Sequence, residues 1–302
     1  MHQRKISTVI RSSFAIAVFA PALALAAPAV PQCPAPATEF APGQVGTPEL
    51  FDSRLAFTPS RNTIYWAVTS EPQPPGSSVV ATILTAQRAP GGWSAPSIAS
   101  FSGVYNDSDP FVTPYGDRMY FSSSRPGGVL ADTPLNDIWI TERTATGWGV
   151  PYNAGAAVNS PANELYPSAD VQGNLYFASD RDGGQWDLYR ALRRPDGSFA
   201  AAQKVPGQPN HPNRWEFNPE VSPDGRTLLF ATYGRPDSYG DVDIYVSHLE
   251  PNGKFGQPLN LGPCVNSAAP EFHPTVLWDR NELYFVRVQA TTDFFTTPLQ
   301  LP

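Results

Sequence analysis

Four carboxylates recur at one place in the pattern of this 302-residue chain: Asp107, Glu164, Glu216 and Glu271, each three residues before a proline, with Asp52 near the equivalent place in an earlier segment. Three arginines, Arg125, Arg181 and Arg235, follow in SSRPGG, SDRDGG and YGRPD. Carboxylates converging from separate segments can hold a divalent cation such as calcium, or a basic ligand. Flanking a sugar, they can supply the acid and base of glycoside hydrolysis. Beside arginines they can equally be structural ion pairs. Their recurrence in copy after copy favours the structural reading, and the Asp series 137, 187, 243 and 293 is read the same way.

Residues that do not recur are the better site candidates. His211, Arg214, Trp215 and Glu216 stand together in HPNRWE, and His273 lies beside Glu271. A histidine with a glutamate suits metal binding or acid–base work, although a single histidine more often serves as an ordinary hydrogen-bonding group. Trp215 and Tyr239 can stack on a sugar ring or pack a loop. No metal ligand set or catalytic group is assigned. The chain contains no G-x-S-x-G, no G-x-x-x-x-G-K, no H-E-x-x-H and no EF-hand loop.

The elements that must position these residues form a repeat. SRLAFTPSRNTIYW (53–66), SDPFVTPYGDRMYF (108–121), LYPSADVQGNLYF (165–177), FNPEVSPDGRTLLF (217–230) and FHPTVLWDRNELYF (272–285) share a frame of extended residues, a polar turn and an apolar run ending in an aromatic. The closing aromatics Trp66, Phe121, Phe177, Phe230 and Phe285 are 55, 56, 53 and 55 residues apart. A third strand opens at Asp137, Asp187, Asp243 and Asp293, with Thr82-Ile-Leu as the first, degenerate copy. A fourth is marked by Trp93, Trp148, Phe199 and Phe255. With 34 Pro and 23 Gly there is little room for long helices. Four short antiparallel strands per repeat predict an all-β fold, a β-propeller.

SPDGRTLLF (222–230), DIY (243–245) and GKFGQPLNLG (253–262) resemble the WD40-like repeats of TolB-type propellers across residues 40–302. The resemblance implies an exported propeller that works by binding other molecules. TolB itself carries an additional amino-terminal α/β domain. About 13 residues separate Ala26 from Phe40 here, so a role in the Tol–Pal system is not expected. The fifth repeat lacks its fourth strand, and Phe40–Val45 fits the missing pattern. The expectation is therefore five four-stranded antiparallel blades, the last completed by an amino-terminal strand, with six blades as the alternative.

Within a blade, connections alternate ends, so the linkers into each first strand share a face with the loops between second and third strands. These loops vary in length: from the second-strand aromatic to the third-strand Asp is 16 residues in the second copy and 8 in the fifth. Variable loops on a rigid scaffold mark the expected binding face.

Residues 1–26, with Arg4, Lys5 and Arg11 before an apolar run ending Ala24-Leu25-Ala26, read as a secretory signal. Residues 27–39 read as a tail and 40–302 as one propeller domain. Without the signal, 17 basic residues face 27 acidic ones, which argues against nucleic acid and anionic lipid as partners. No other run approaches a membrane span. Export, to the periplasm or beyond, favours pairing the two cysteines, Cys33 and Cys264. The leading expectation is a non-enzymatic propeller without a resident cofactor, binding a protein or an envelope polysaccharide. The alternative is a carbohydrate hydrolase or lyase using Glu164, Glu216 and Glu271. No feature fixes an oligomeric state.

Overall fold

The computed structural model describes residues 33, 35–46, 49–70, 80–129 and 135–302. The expected signal, residues 1–26, lies outside them, as does most of the expected tail. None of the described residues is helical. Cys33–Pro302 forms a compact unit of antiparallel strands.

Pairing groups these strands in fours. The first group comprises Phe51–Phe57, Thr63–Thr69, Thr82–Ala89 and Ser97–Ile98; the second comprises Asp107–Val112, Arg118–Ser123, Asp137–Thr144 and Tyr152–Asn153. The third is Glu164–Ala169, Leu175–Ser179, Asp187–Ala191 and Gln203–Lys204, and the fourth Glu216–Val221, Thr227–Tyr233, Val242–His248 and Leu259–Asn260. The last joins Glu271–Leu277, Glu282–Val288 and Thr292–Pro298 with Thr38–Glu39 from the other end of the chain.

The second strands are apolar in their middle residues because both of their faces are buried there. Leu228 and Phe230 pack with Leu165 and Tyr176 of the preceding group, whereas Leu229 packs with Val276 and Phe285 of the following one. The same layering recurs between the other neighbours. One cluster sets Leu55 and Trp66 of the first group against Tyr284 and Phe294 of the last. The first strands touch in cyclic order, Glu271–Leu277 meeting Phe51–Phe57, so they surround a common axis.

The amino-terminal strand joins the last group as expected, but earlier in the chain. Thr38 and Glu39 pair with Thr296 and Phe295, and the Phe40 amide donates to the Phe294 carbonyl at 2.7 Å. Phe40–Val45 is not the strand, because the chain turns there. The Gln44 and Val45 amides both donate to the Ala41 carbonyl, and Gly43 and Gly46 take left-handed φ values of 71° and 79°. Phe40 itself packs edge-on against Tyr284 and Trp93. The marker aromatics of the other fourth strands are offset similarly: Trp93 and Trp148 sit beside the preceding turn, and the pairing with the third strand falls past the next proline. Cys33 and Cys264 form a disulfide with Cα atoms 5.0 Å apart, tethering the amino-terminal strand to the loop before the last group.

Candidate binding face and the axial ring

The recurrent carboxylates enter the first strands at the linker face and are buried there. Asp107 accepts from Ser123 Oγ and Arg125 Nη2, both at 2.6 Å. Glu164 accepts from Ser179 Oγ at 2.8 Å and Arg181 Nη2 at 2.9 Å. Glu216 lies 3.7 Å from Arg235 Nη2 and accepts from Thr232 Oγ1 at 3.2 Å. Glu271 accepts from Arg287 Nε at 2.7 Å. Each guanidinium also stacks on the first aromatic or next ring of the third strand: Trp139, Tyr189, Tyr245 and Phe295. An arginine stacked on a ring with a carboxylate beside its fork has its charge compensated, although Arg235 Nε is left without a hydrogen-bond partner. Asp52 is buried in the corresponding place of the first group.

The carboxylates also hold the linkers. The Ser160 and Ser267 amides donate to Glu164 and Glu271, each at 2.9 Å. The His211 amide does the same to Glu216 at 3.0 Å. The residues just before them, Asn159, Asn210 and Asn266, clamp the third strand by pairing both amide atoms with the backbone of Ile138, Leu188 and Ile244. His211 thus occupies a serine's place in the repeat. Its ring accepts from the Asn213 amide at 3.2 Å, and slight burial with Arg214 and Arg235 nearby lowers its pKa. Asp137 and Asp243 accept amide and asparagine donors, and Asp187 binds Lys204 Nζ at 2.7 Å.

Exposed apolar side chains on this face lie in the linker before the second group, at Val104 and Tyr105, and at the fourth group. Trp215, Tyr233 and Tyr239 are 44%, 53% and 43% exposed. Arg214 Nε donates to the Gly234 carbonyl at 3.0 Å, and the Tyr233 amide to Trp215 O at 3.3 Å. The linker and the second-to-third-strand loop are therefore tied together beneath three exposed rings and a guanidinium.

His273 lies elsewhere. Each first strand has a bulge, and the residue inside it is left-handed: Arg54 (φ 34°), Asp109 (53°), Tyr166 (60°), Asn218 (51°) and His273 (51°). Four of these precede a proline, a position that favours extended backbone, so two local preferences are overridden. Side chains from these positions meet at the axis. His273 Nδ1 is 3.0 Å from Asn218 Nδ2 and 3.8 Å from Asp109 Oδ1, and its ring packs edge-on to Tyr166. Arg54 Nη2 donates to Glu220 Oε2 at 2.6 Å, while its guanidinium lies over Phe111. Asp109 and Glu220 are 2% and 3% exposed. Burial raises Asp109 to about 6 and Glu220 to about 7, against the pull of Arg54, and it lowers His273 well below the usual histidine range.

The sequence singled out His273 alone of these. The signal that would have found Asp109, Tyr166 and Asn218 is the residue preceding the first-strand proline, a position occupied by different residue types in otherwise similar repeats. His211 and His273 have separate partners, and among the described residues no group of three or more His, Cys, Asp or Glu side chains is arranged to hold a metal.

No family model matches the chain, and no curated protein matches it. Solved structures do. A thermostable family-43 glycoside hydrolase superposes with a TM-score of 0.59 at 12% identity, over 88% of this chain and 94% of that one. The endo-arabinase of Bacteroides thetaiotaomicron gives 0.54 at 16%, over 84% and 95%. A protein assigned as a TolB from Agrobacterium tumefaciens gives 0.51 at 18%, over 81% and 72%. The fold is a β-propeller. At these identities the likeness concerns the fold alone.

Proposed function

We propose that the chain is an exported, five-bladed propeller of TolB type, periplasmic or secreted, which binds a protein or an envelope polysaccharide on its linker face without acting on it. The cluster of Arg214, Trp215, Tyr233 and Tyr239 carries this reading. Three exposed rings on one linker and the adjoining strand end and loop, with an arginine that bonds across them, have the composition of a recognition patch. The amino-terminal strand, disulfide-bonded to the ring, supports both export and closure by the two chain ends. The test is binding to purified peptidoglycan, outer-membrane polysaccharide and envelope proteins. Arg214→Ala and Trp215→Ala should each weaken it about tenfold or more, as expected of central interface residues. Unchanged binding in both variants would remove the patch from the proposal.

A glycosidase reading draws on one observation: Asp109 and Glu220 approach the axis from different blades with raised pKa values. Against it, both are buried and Glu220 is held by Arg54. The buried Glu164, Glu216 and Glu271 are likewise engaged by their own blades. Arabinan, the substrate class named for the endo-arabinase neighbour, is the first polysaccharide to try. Turnover lost on Glu220→Gln would replace the binding reading.

A further inference from the structure

A cleft of about 330 Å³ opens on the opposite face, among the hairpin turns that join first to second strands. Phe57, Phe111, Val276, Leu277 and Trp278 wall it, and at its inner end lies Glu220. The hydroxyls that also line it are committed to the fold: Thr58 to the Thr63 carbonyl, Thr113 to Asp117 and Thr275 to the Leu55 carbonyl. At the rim Arg61 and Asp279 pair with each other. The ionisable group inside is therefore the Glu220 carboxylate. Its Oε2 is taken by Arg54, and its Oε1 accepts one long bond, 3.3 Å, from the Val276 amide. A carboxylate has room for about four donors, so acceptor capacity remains.

The charges behind the cleft are unequal. Arg54 faces two carboxylates, Glu220 and Asp109, and burial keeps His273 uncharged. An anion entering the cleft meets a carboxylate, and a neutral apolar molecule leaves Oε1 underused. A bare metal ion would meet aromatic and aliphatic walls where it needs oxygen ligands. The volume lies at the small end of ligand pockets and suits a single ring or a short aliphatic body.

We propose that this cleft binds a small primary amine carried on a compact apolar body, aromatic by preference. The ammonium donates to Glu220 Oε1 and the body lies against Phe111 and Trp278. The site is independent of the linker-face patch and stands whether or not that patch binds a polymer.

Phenethylamine is the probe at pH 8, above the raised Glu220 value, with 2-phenylethanol and phenylacetate as neutral and anionic counterparts, followed by calorimetry and by NMR of the whole exported chain. The amine should bind saturably and at least about tenfold more tightly than the alcohol, the discrimination one charge-assisted hydrogen bond supplies, and phenylacetate should not bind. Leu277→Trp, at a half-buried wall position, should fill the cleft and abolish binding while the folded spectrum is kept. Glu220→Gln should erase the preference for amine over alcohol. If that variant does not fold, Leu277→Trp and the ligand series still decide. Trp215→Ala should leave amine binding unchanged. Absence of saturable amine binding, equal affinity for amine and alcohol, or full binding by Leu277→Trp would each overturn the proposal.

Discussion

The linker-face layer and the axial ring occupy neighbouring positions of the same first strands, two residues apart, yet they are built on opposite rules. In the layer, one chemistry is repeated: an acid, an arginine and a third-strand ring in the second strand group and each later one. In the ring, the first strands contribute five different residues, Arg54, Asp109, Tyr166, Asn218 and His273, on strained backbone. Repetition is what a stacked architecture needs, since every blade must close the same gap. Divergence at a symmetric position has no such explanation, and left-handed non-glycine residues persist only where the surroundings enforce them. The difference teaches that in a repeat protein the informative positions are those where the repeat geometry is kept and the residue identity is not.

The largest expected effect separates the two regions by charge. Glu220→Gln leaves the Arg54 guanidinium buried without its partner and unable to shed its proton, so a loss of about 3–5 kcal/mol is expected in denaturant unfolding. Arg54→Met should cost less near neutral pH, because Glu220 can then take up a proton. The double variant should recover part of the loss of Glu220→Gln. If Glu220→Gln proves neutral, the axial pair is not the tightly held element described here.

Next in size is the tether. Cys264→Ser removes a cross-link spanning 231 residues of sequence and should lower stability by about 2–5 kcal/mol, as reported by the denaturation midpoint with and without reductant. In the layer, Glu271→Gln retains shape but weakens bonds to Arg287 and Ser267, and about 1–3 kcal/mol is expected. The equivalent change at Glu164 should cost about the same. Unequal costs would break the claim that the layer is one repeated device.

The pH response sharpens the comparison further. Glu216 and Glu220, raised to about 7, and Asp109, raised to about 6, hold protons in the folded chain that the unfolded chain has already released. Stability from these groups is greatest below their unfolded values and falls as pH rises through about 6 and 7, by up to about 1.4 kcal/mol per pH unit for each group. His273, kept neutral by burial, works in the other direction: the unfolded histidine gains a proton below about 6.5, so its contribution is lost as pH falls. The urea midpoint of the wild type should decline between roughly pH 4.5 and 7, with His273 offsetting part of that decline below about 6.5. Glu220→Gln should flatten that decline, and Glu271→Gln should leave most of it. The smallest effects on stability are expected at the exposed patch: Trp215→Ala should change unfolding by less than about 0.5 kcal/mol.

Much of this was legible from the chain. The period, the four-strand unit and the pairing of the recurrent acids with Arg125, Arg181 and Arg235 follow from residues at recurring spacing, and the cysteine pair from the expected export. Arg287 was missed because it sits within the second strand, at a different offset from the other three arginines, and only the fold brings its guanidinium to the same place. The closing strand was placed at Phe40–Val45 by matching aromatics; the aromatic marks a packing site, whereas backbone pairing falls beside it at Thr38–Glu39.

The sequence by itself determined the repeat, because strand alternation, turn residues and interblade packing are set by neighbours along the chain or at the constant period. Only the tertiary structure decided what lies at the axis. Arg54 and Glu220 are 166 residues apart, and no local pattern couples an arginine in the first copy to a glutamate in the fourth. Their meeting depends on closing the ring and on bulges that turn five side chains inward, a property of the assembled blades that no single blade encodes.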